Sequence, residues 1–236
     1  MKNFFRNVNP GMLLILAVMV VNRMTSSGQS LGSWIYDTVI LLPAIIIGLT
    51  FHEAAHGFVS YWLGDPTPKM QGRLTLNPFH HMDPLGFLAL LFCGFGWGEP
   101  VQIDPRYYKN FRRGQLMVGF AGVVTNFAIA LICSFIIKAM ASNMTMEFYN
   151  GIGSILFEIL INIFVINIVL MVFNLLPVPP LDGFGILTQI FKLYRFPWYW
   201  TVSKNGFLIL MVLILFDVTD LVLGPVTGFF YDLLLY

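Results

Sequence analysis

Charge is scarce in this chain: Asp, Glu, Lys and Arg make up 11% of its 236 residues, where soluble domains carry about a quarter. So few charged side chains cannot cover a water-facing surface, and an ordinary soluble globule is excluded. Nor is the charge one-sided. Thirteen basic and 12 acidic residues leave a formal net charge of +1, and no Lys/Arg run offers a nucleic-acid patch. Cysteine is nearly absent. Cys93 and Cys133 both lie in apolar stretches without paired metal-ligand spacing, so they read as small lipid- or core-facing residues rather than a disulfide. With no repeat and no low-complexity linker, residues 1–236 read as a single membrane-embedded domain.

Apolar sequence fills the space that charge leaves. The chain is 57% hydrophobic, with a mean hydropathy of +0.77. Gln115–Ile137 and Ile159–Leu181 each run 23 residues without a charge, enough to cross roughly 30 Å of hydrocarbon at about 1.5 Å per residue. Candidate spans fall at 10–22, 34–63, 115–140, 152–176 and within 205–236, where Asp217, Asp220, Gly224 and Pro225 leave open one broken helix or two short segments. The stretch Gly11–Val21 follows Lys2 and Arg6 as in a signal peptide, but no small-x-small cleavage site follows, and a retained short anchor is expected. Aromatic residues, 16% of the chain, suit lipid packing and interfacial anchoring. The fold class expected is an all-α polytopic membrane protein of about five to six transmembrane helices, with a re-entrant, partly extended Gly-rich segment.

Lys/Arg placement orients the chain. With the N-terminus and residues 64–114 on the cytoplasmic side, 11 of the 13 basic residues lie inside and only Arg23 and Lys138 outside, as the positive-inside rule requires. Leu85–Phe95 must then dip into the membrane and return, which suits eleven residues between Pro84 and the Gly94-x-Gly96-x-Gly98 string.

His52-Glu53-Ala54-Ala55-His56 carries the chemistry. On a helix, positions i and i+4 share a face, so both imidazoles reach one ion. Glu53, one residue along, is placed to take a proton from a water at the ion's open position. As a pentapeptide the pattern is moderately specific; within a membrane helix, where ionisable groups are expensive, it points to function. Zinc needs a third protein ligand, and His80, His81, Asp83, Glu99 and Asp182 are candidates. Asp182 stands out, because spans 34–63 and 152–176 both exit to the cytoplasmic side, one just after His56 and the other just before Asp182. Pro177, Pro179 and Pro180 prevent a regular helix there and free backbone groups to line a cavity.

These residues resemble the site-2 protease family of intramembrane zinc metalloproteases: HExxH at 52–56, and Asn174 with Pro177-x-Pro-x-Leu-Asp182-Gly183. Gly64-Asp65-Pro66-Thr67, Gly72-Arg73-Leu-Thr-Leu-Asn77-Pro78, His81-x-Asp83-Pro84-x-Gly86 and Phe95-Gly-Trp97-Gly-x-Pro100-Val101 resemble its compact bacterial and archaeal branch, without PDZ or nucleotide-binding appendages. The resemblance implies Zn2+ held by His52, His56 and Asp182, Glu53 as the catalytic residue, and Asn174 positioning or stabilising the reacting carbonyl. Asn126 matches a membrane-helix Asn of the family, with substrate contact or an interhelical hydrogen bond as its role. Val123 departs from the proline frequent in relatives, which alters a kink rather than the chemistry.

The expected activity is hydrolysis of transmembrane or membrane-associated protein segments at the cell membrane, in a site open toward the cytoplasmic face. Gly94–Ile103, including Gly96, Trp97 and Gln102, is expected to offer an extended edge to an unwound substrate. For His81 a loop role is favoured over a spare ligand, and for Glu99 a headgroup-facing carboxylate over a gate. A non-catalytic metal-binding scaffold or a transporter is the alternative from another class. Aspartyl and serine intramembrane proteases fit poorly: Tyr36-Asp37 has no Gly-x-Gly-Asp partner, and Ser154 has no histidine on its side of the membrane.

Overall fold

A computed structural model describes residues 18, 30–83, 86–87, 89, 98–143, 145 and 148–236. Helix α1 (Leu31–Trp62) starts where the Ser30 hydroxyl accepts the Ser33 N–H at 3.2 Å. It is apolar nearly all round, without the polar stripe of a helix lying on a water-facing surface. It continues through Pro43 and stops before Asp65-Pro66. Helix α2 (Phe111–Asn143) is entered from Asn110, whose side-chain oxygen accepts the Arg113 N–H at 3.0 Å. Helix α3 (Ser154–Asn174) ends where the proline-rich stretch begins, and the short α4 (Asp182–Phe191) restarts after it. Then follow α5 (Trp198–Lys204), α6 (Gly206–Leu215) and α7 (Asp220–Leu235).

The centre is a three-helix bundle. Ala44 of α1, Val123, Ala130 and Cys133 of α2, and Phe164, Ile168 and Met171 of α3 form one apolar cluster. Truncating the fully buried Phe164 to alanine would cost about 3–5 kcal/mol. Helix α7 lies against α2 and α3, with Phe230 5.9 Å from Phe127 and Tyr231 6.1 Å from Phe164 between ring centres. A smaller cluster joins Leu176 and Leu181, on either side of the prolines, to Leu210 and Met211 of α6.

One polar clasp ties the end of α1 to the approach to α2. The Asp65 carboxylate, completely buried, accepts from the Ser60 hydroxyl at 2.8 Å, the Thr67 N–H at 2.9 Å and the Asp104 N–H at 2.7 Å. The Tyr108 hydroxyl joins Ser60 at 2.7 Å. Burial works against the Asp65 charge, but the hydrogen bonds from Thr67, Asp104 and Ser60 outweigh it and hold the carboxyl below the usual carboxylate range.

The described residues are all-helical apart from loops and one isolated bridge, Met82 to Gly98. Three helices among them are long and apolar enough to cross a membrane: Gly32–Trp62, Phe111–Asn143 and Asn150–Asn174. The bent pair α5–α6, broken at 66°, would make a fourth, so the expected count of about five to six is not reached among the described residues. One reason is the 205–236 region, which divides into two short segments. Asp217, in the left-handed conformation at φ 55°, turns the chain between them. At 16 residues, α7 reaches only about 24 Å. Apart from Val18, the expected span 10–22 lies outside the described residues, as does most of the re-entrant Leu85–Phe95, although Gly86, Phe87 and Ala89 are helical.

Candidate metal centre

His52 and His56 project from one face of α1 toward α2. His52 lies ten residues before the end of the helix at Trp62, about 15 Å along its axis. The ring packs on Gly122 of α2, where an added Cβ would come within 2.4 Å of His52 Cε1. Both imidazoles are buried, and each has its Nδ1 engaged. His56 Nδ1 is 2.7 Å from the Val118 carbonyl oxygen. A carbonyl only accepts, so Nδ1 carries the proton and Nε2 keeps its lone pair. His52 Nδ1 is 2.6 Å from Asn126 Oδ1. Asn126 Nδ2 faces two acceptors, the Gly48 carbonyl at 3.1 Å and Asn167 Oδ1 at 2.8 Å. That leaves its oxygen toward His52, and the same tautomer follows.

Asp182 opens α4 after the three prolines have turned the chain back toward α1. Its Oδ2 lies 3.3 Å from His52 Nε2 and 3.3 Å from His56 Nε2, and the two Nε2 atoms are 3.1 Å apart. With both Nδ1 atoms protonated, neutral rings turn both Nε2 lone pairs toward the Asp182 carboxylate. Asp182 Oδ2 is buried and has no hydrogen-bond partner. A cation shared by the three atoms, a proton or a metal ion, satisfies such a cluster. Two ligands each about 2.0–2.1 Å from a tetrahedral zinc stand roughly 3.3 Å apart, so spacing and donor set both fit that ion. Among the described residues, these three side chains form the one group able to hold a metal.

Glu53 stands beside this group without joining it. Its Oε2 accepts the Val101 N–H at 3.1 Å, and Gly98 brings the loop backbone close to the carboxylate. A cavity of about 430 Å³ opens over the three candidate ligands and Glu53. Its walls are mainly apolar, among them Leu49, Leu170, Phe173 and Leu210, with Val101 and Ile103 on the loop side. Gln102, between those two, is exposed. Asn174 also lines the cavity, and its Nδ2 donates to the Leu170 carbonyl at 3.0 Å.

The other third-ligand candidates do not join the group. His80 is exposed, and its carbonyl accepts from Arg73. His81 is buried with Nε2 2.8 Å from the Thr75 carbonyl, and Asp83 accepts the Gly86 N–H at 2.7 Å. Glu99 pairs with Arg73. Gly96 and Trp97 lie outside the described residues. Asn126 is completely buried and spent on His52, Gly48 and Asn167. Sequence reasoning missed the Val118 carbonyl, which no side chain announces, and Asn167. An amide in the middle of an uncharged 23-residue run was the available signal, because a polar group there must find a partner.

Two relatives match the chain along most of its length. It is 37% identical over 199 residues to the proposed zinc metalloprotease YwhC of Bacillus subtilis, covering 81% of this chain and 89% of that protein. It is 26% identical over 226 residues to the proposed zinc metalloprotease Rip2 of Mycolicibacterium smegmatis, covering 89% of this chain and 82% of the relative. No family model matches the chain, and no solved structure matches it.

Proposed function

Because the chain belongs to the site-2 protease family of zinc metalloproteases, we propose that it is an intramembrane endopeptidase of the HExxH type, cutting transmembrane or membrane-associated protein segments. The observation that carries this reading is the convergence of His52 Nε2, His56 Nε2 and Asp182 Oδ2 beside Glu53, on a helix apolar enough to cross a bilayer. The basic residues favour a cell-membrane orientation with this end of α1 toward the cytoplasm, which gives water a short route to the cavity.

Zinc, when bound by His52, His56 and Asp182, supplies the Lewis acidity that polarises a carbonyl and acidifies a water. Glu53, with Oε2 held by Val101, takes the proton of the attacking water on its carboxylate and delivers it to the leaving amine. Asn174 has one amide proton on the Leu170 carbonyl and donates the second toward the developing oxyanion. Leu49, Leu170, Phe173 and Leu210 receive apolar side chains and keep bulk water away. Val101 and Ile103 present an extended stretch that an unwound substrate segment pairs with.

The test uses full-length protein in detergent and a model transmembrane substrate. Glu53→Gln should keep its zinc and lose at least about a hundredfold in cleavage rate, and Gln102→Pro should lose cleavage with zinc unchanged. Cleavage by Glu53→Gln at the wild-type rate would overturn the assignment, and retained zinc without cleavage by the wild type would favour a scaffold or transporter.

A further inference from the structure

His52 is held by a relay of side-chain amides that crosses all three central helices. Asn126 Oδ1 of α2 meets His52 Nδ1 of α1 at 2.6 Å. Asn126 Nδ2 donates to the Gly48 carbonyl of α1 at 3.1 Å and to Asn167 Oδ1 of α3 at 2.8 Å. Asn167 Nδ2 in turn donates to the Ile163 carbonyl of its own helix at 2.8 Å. Both asparagines are completely buried. Asn167 is neither a candidate ligand nor part of the cavity wall.

The relay has a direction. Asn167 Nδ2 is committed to a carbonyl, which can only accept, so its oxygen faces Asn126. That oxygen and the Gly48 carbonyl together demand the NH2 end of Asn126 on their side. Were the Asn126 amide turned over, its NH2 group would face His52 Nδ1. The ring would then have to carry its proton on Nε2, the atom that points at His56 and Asp182. A histidine protonated at Nε2 offers no lone pair to an ion there.

We propose that Asn167 is a positioning residue for metal binding: through Asn126 it selects the His52 tautomer whose Nε2 can ligate. The proposal rests on the zinc reading of the site and assigns α3 a part in it through a side chain remote from the metal. Removing such an outer-shell partner typically weakens metal binding about 10–100-fold. Gly48 remains as a second acceptor, so the lower end of that range applies.

The experiment measures zinc release from full-length protein in detergent to a chromogenic chelator, together with the melting temperature of the zinc-free form. Asn167→Val removes the acceptor and should release zinc about tenfold faster. Asn167→Asp keeps an oxygen toward Asn126 and should stay within about twofold of wild type. Asn126→Asp presents an oxygen to His52 whichever way it is turned, so adding Asn167→Val in that background should cause no further acceleration. If Asn167→Val does not yield folded protein, Asn167→Thr replaces it, keeping the volume while drawing the acceptor back from Asn126. Release at the wild-type rate in the Val or Thr variant would overturn the proposal. So would equal acceleration in the Asp variant, or in the Asn126→Asp background, alongside a lowered zinc-free melting temperature, since that marks a purely structural role. A wild-type protein that binds no zinc would overturn the metal reading itself, and this proposal with it.

Discussion

The backbone N–H of Val101 donates to Oε2 of Glu53 across 3.1 Å, fastening one wall of the cavity to the carboxylate beside the candidate ligands. The loop is itself fixed: Glu99 N–H donates to the His81 carbonyl at 2.8 Å, and Gly98 bridges Met82. The general-base candidate is therefore oriented from outside its own helix, by a segment that also lines the cavity.

That arrangement makes Gly98 sensitive. A Cβ there would lie 3.0 Å from the His81 carbonyl oxygen and 3.6 Å from Glu53 Cγ and Oε1. Gly98→Ala should displace the loop from Glu53 and lower kcat about tenfold, equivalent to roughly 1.4 kcal/mol of barrier, with zinc content unchanged. Parallel turnover and metal analysis check it; an unaltered kcat would mean that the loop gives way freely.

Gly122→Ala is expected to act on the metal group instead. The new methyl would fall 2.4 Å from the His52 ring, so the ring or α2 must move. Overpacking of this kind costs about 1–3 kcal/mol, and the displaced Nε2 should leave the protein with well under one zinc per chain. Metal analysis and thermal melting in detergent read both effects. Full zinc occupancy would show that the ring has room to retreat.

Chelation should destabilise the wild type. An ion bound only by the folded state adds to its stability, and its loss removes the bonds that join three side chains whose donor atoms lie 3.1–3.3 Å apart. Melting should therefore shift downward on chelation in the wild type and much less in Asp182→Ala, where a ligand has already been removed. Equal shifts in both proteins would argue that the chelated metal sits elsewhere.

Acid should dissolve the clasp at the end of α1. The folded-state pKa of Asp65 is lowered, so its charge stabilises the fold above the unfolded value of about 3.9, and that stability is lost as pH falls through the folded value. Asp65→Asn should cost about 1.5–3 kcal/mol at pH 7, the range for hydrogen bonds to a charged group. The gap from wild type should narrow below about pH 4. Melting temperatures of both proteins at pH 7 and pH 3 measure it, and a constant gap would show that ionisation of Asp65 is not what holds the clasp.

Much of the architecture was legible because it is local. Uncharged runs mark α2 and α3, and the observed bounds Phe111–Asn143 and Ser154–Asn174 lie within a few residues of 115–140 and 152–176. The C-terminal region was not legible. Hydropathy alone does not distinguish one interrupted span from α6 and α7, whereas a single left-handed residue, Asp217, divides them. Asn126 presented two roles from sequence. Its three partners, on α1 and α3, commit it to holding His52.

His52-Glu53-x-x-His56 was readable by itself, because helical periodicity places i and i+4 side by side whatever surrounds them. Asp182 was reachable by combining that motif with topology and charge placement. What only tertiary structure decided is which nitrogen of each imidazole is available. That depends on the Val118 carbonyl and on the amide relay through Asn126 and Asn167, groups that sequence separation hides and that only packing of three helices brings into hydrogen-bonding distance.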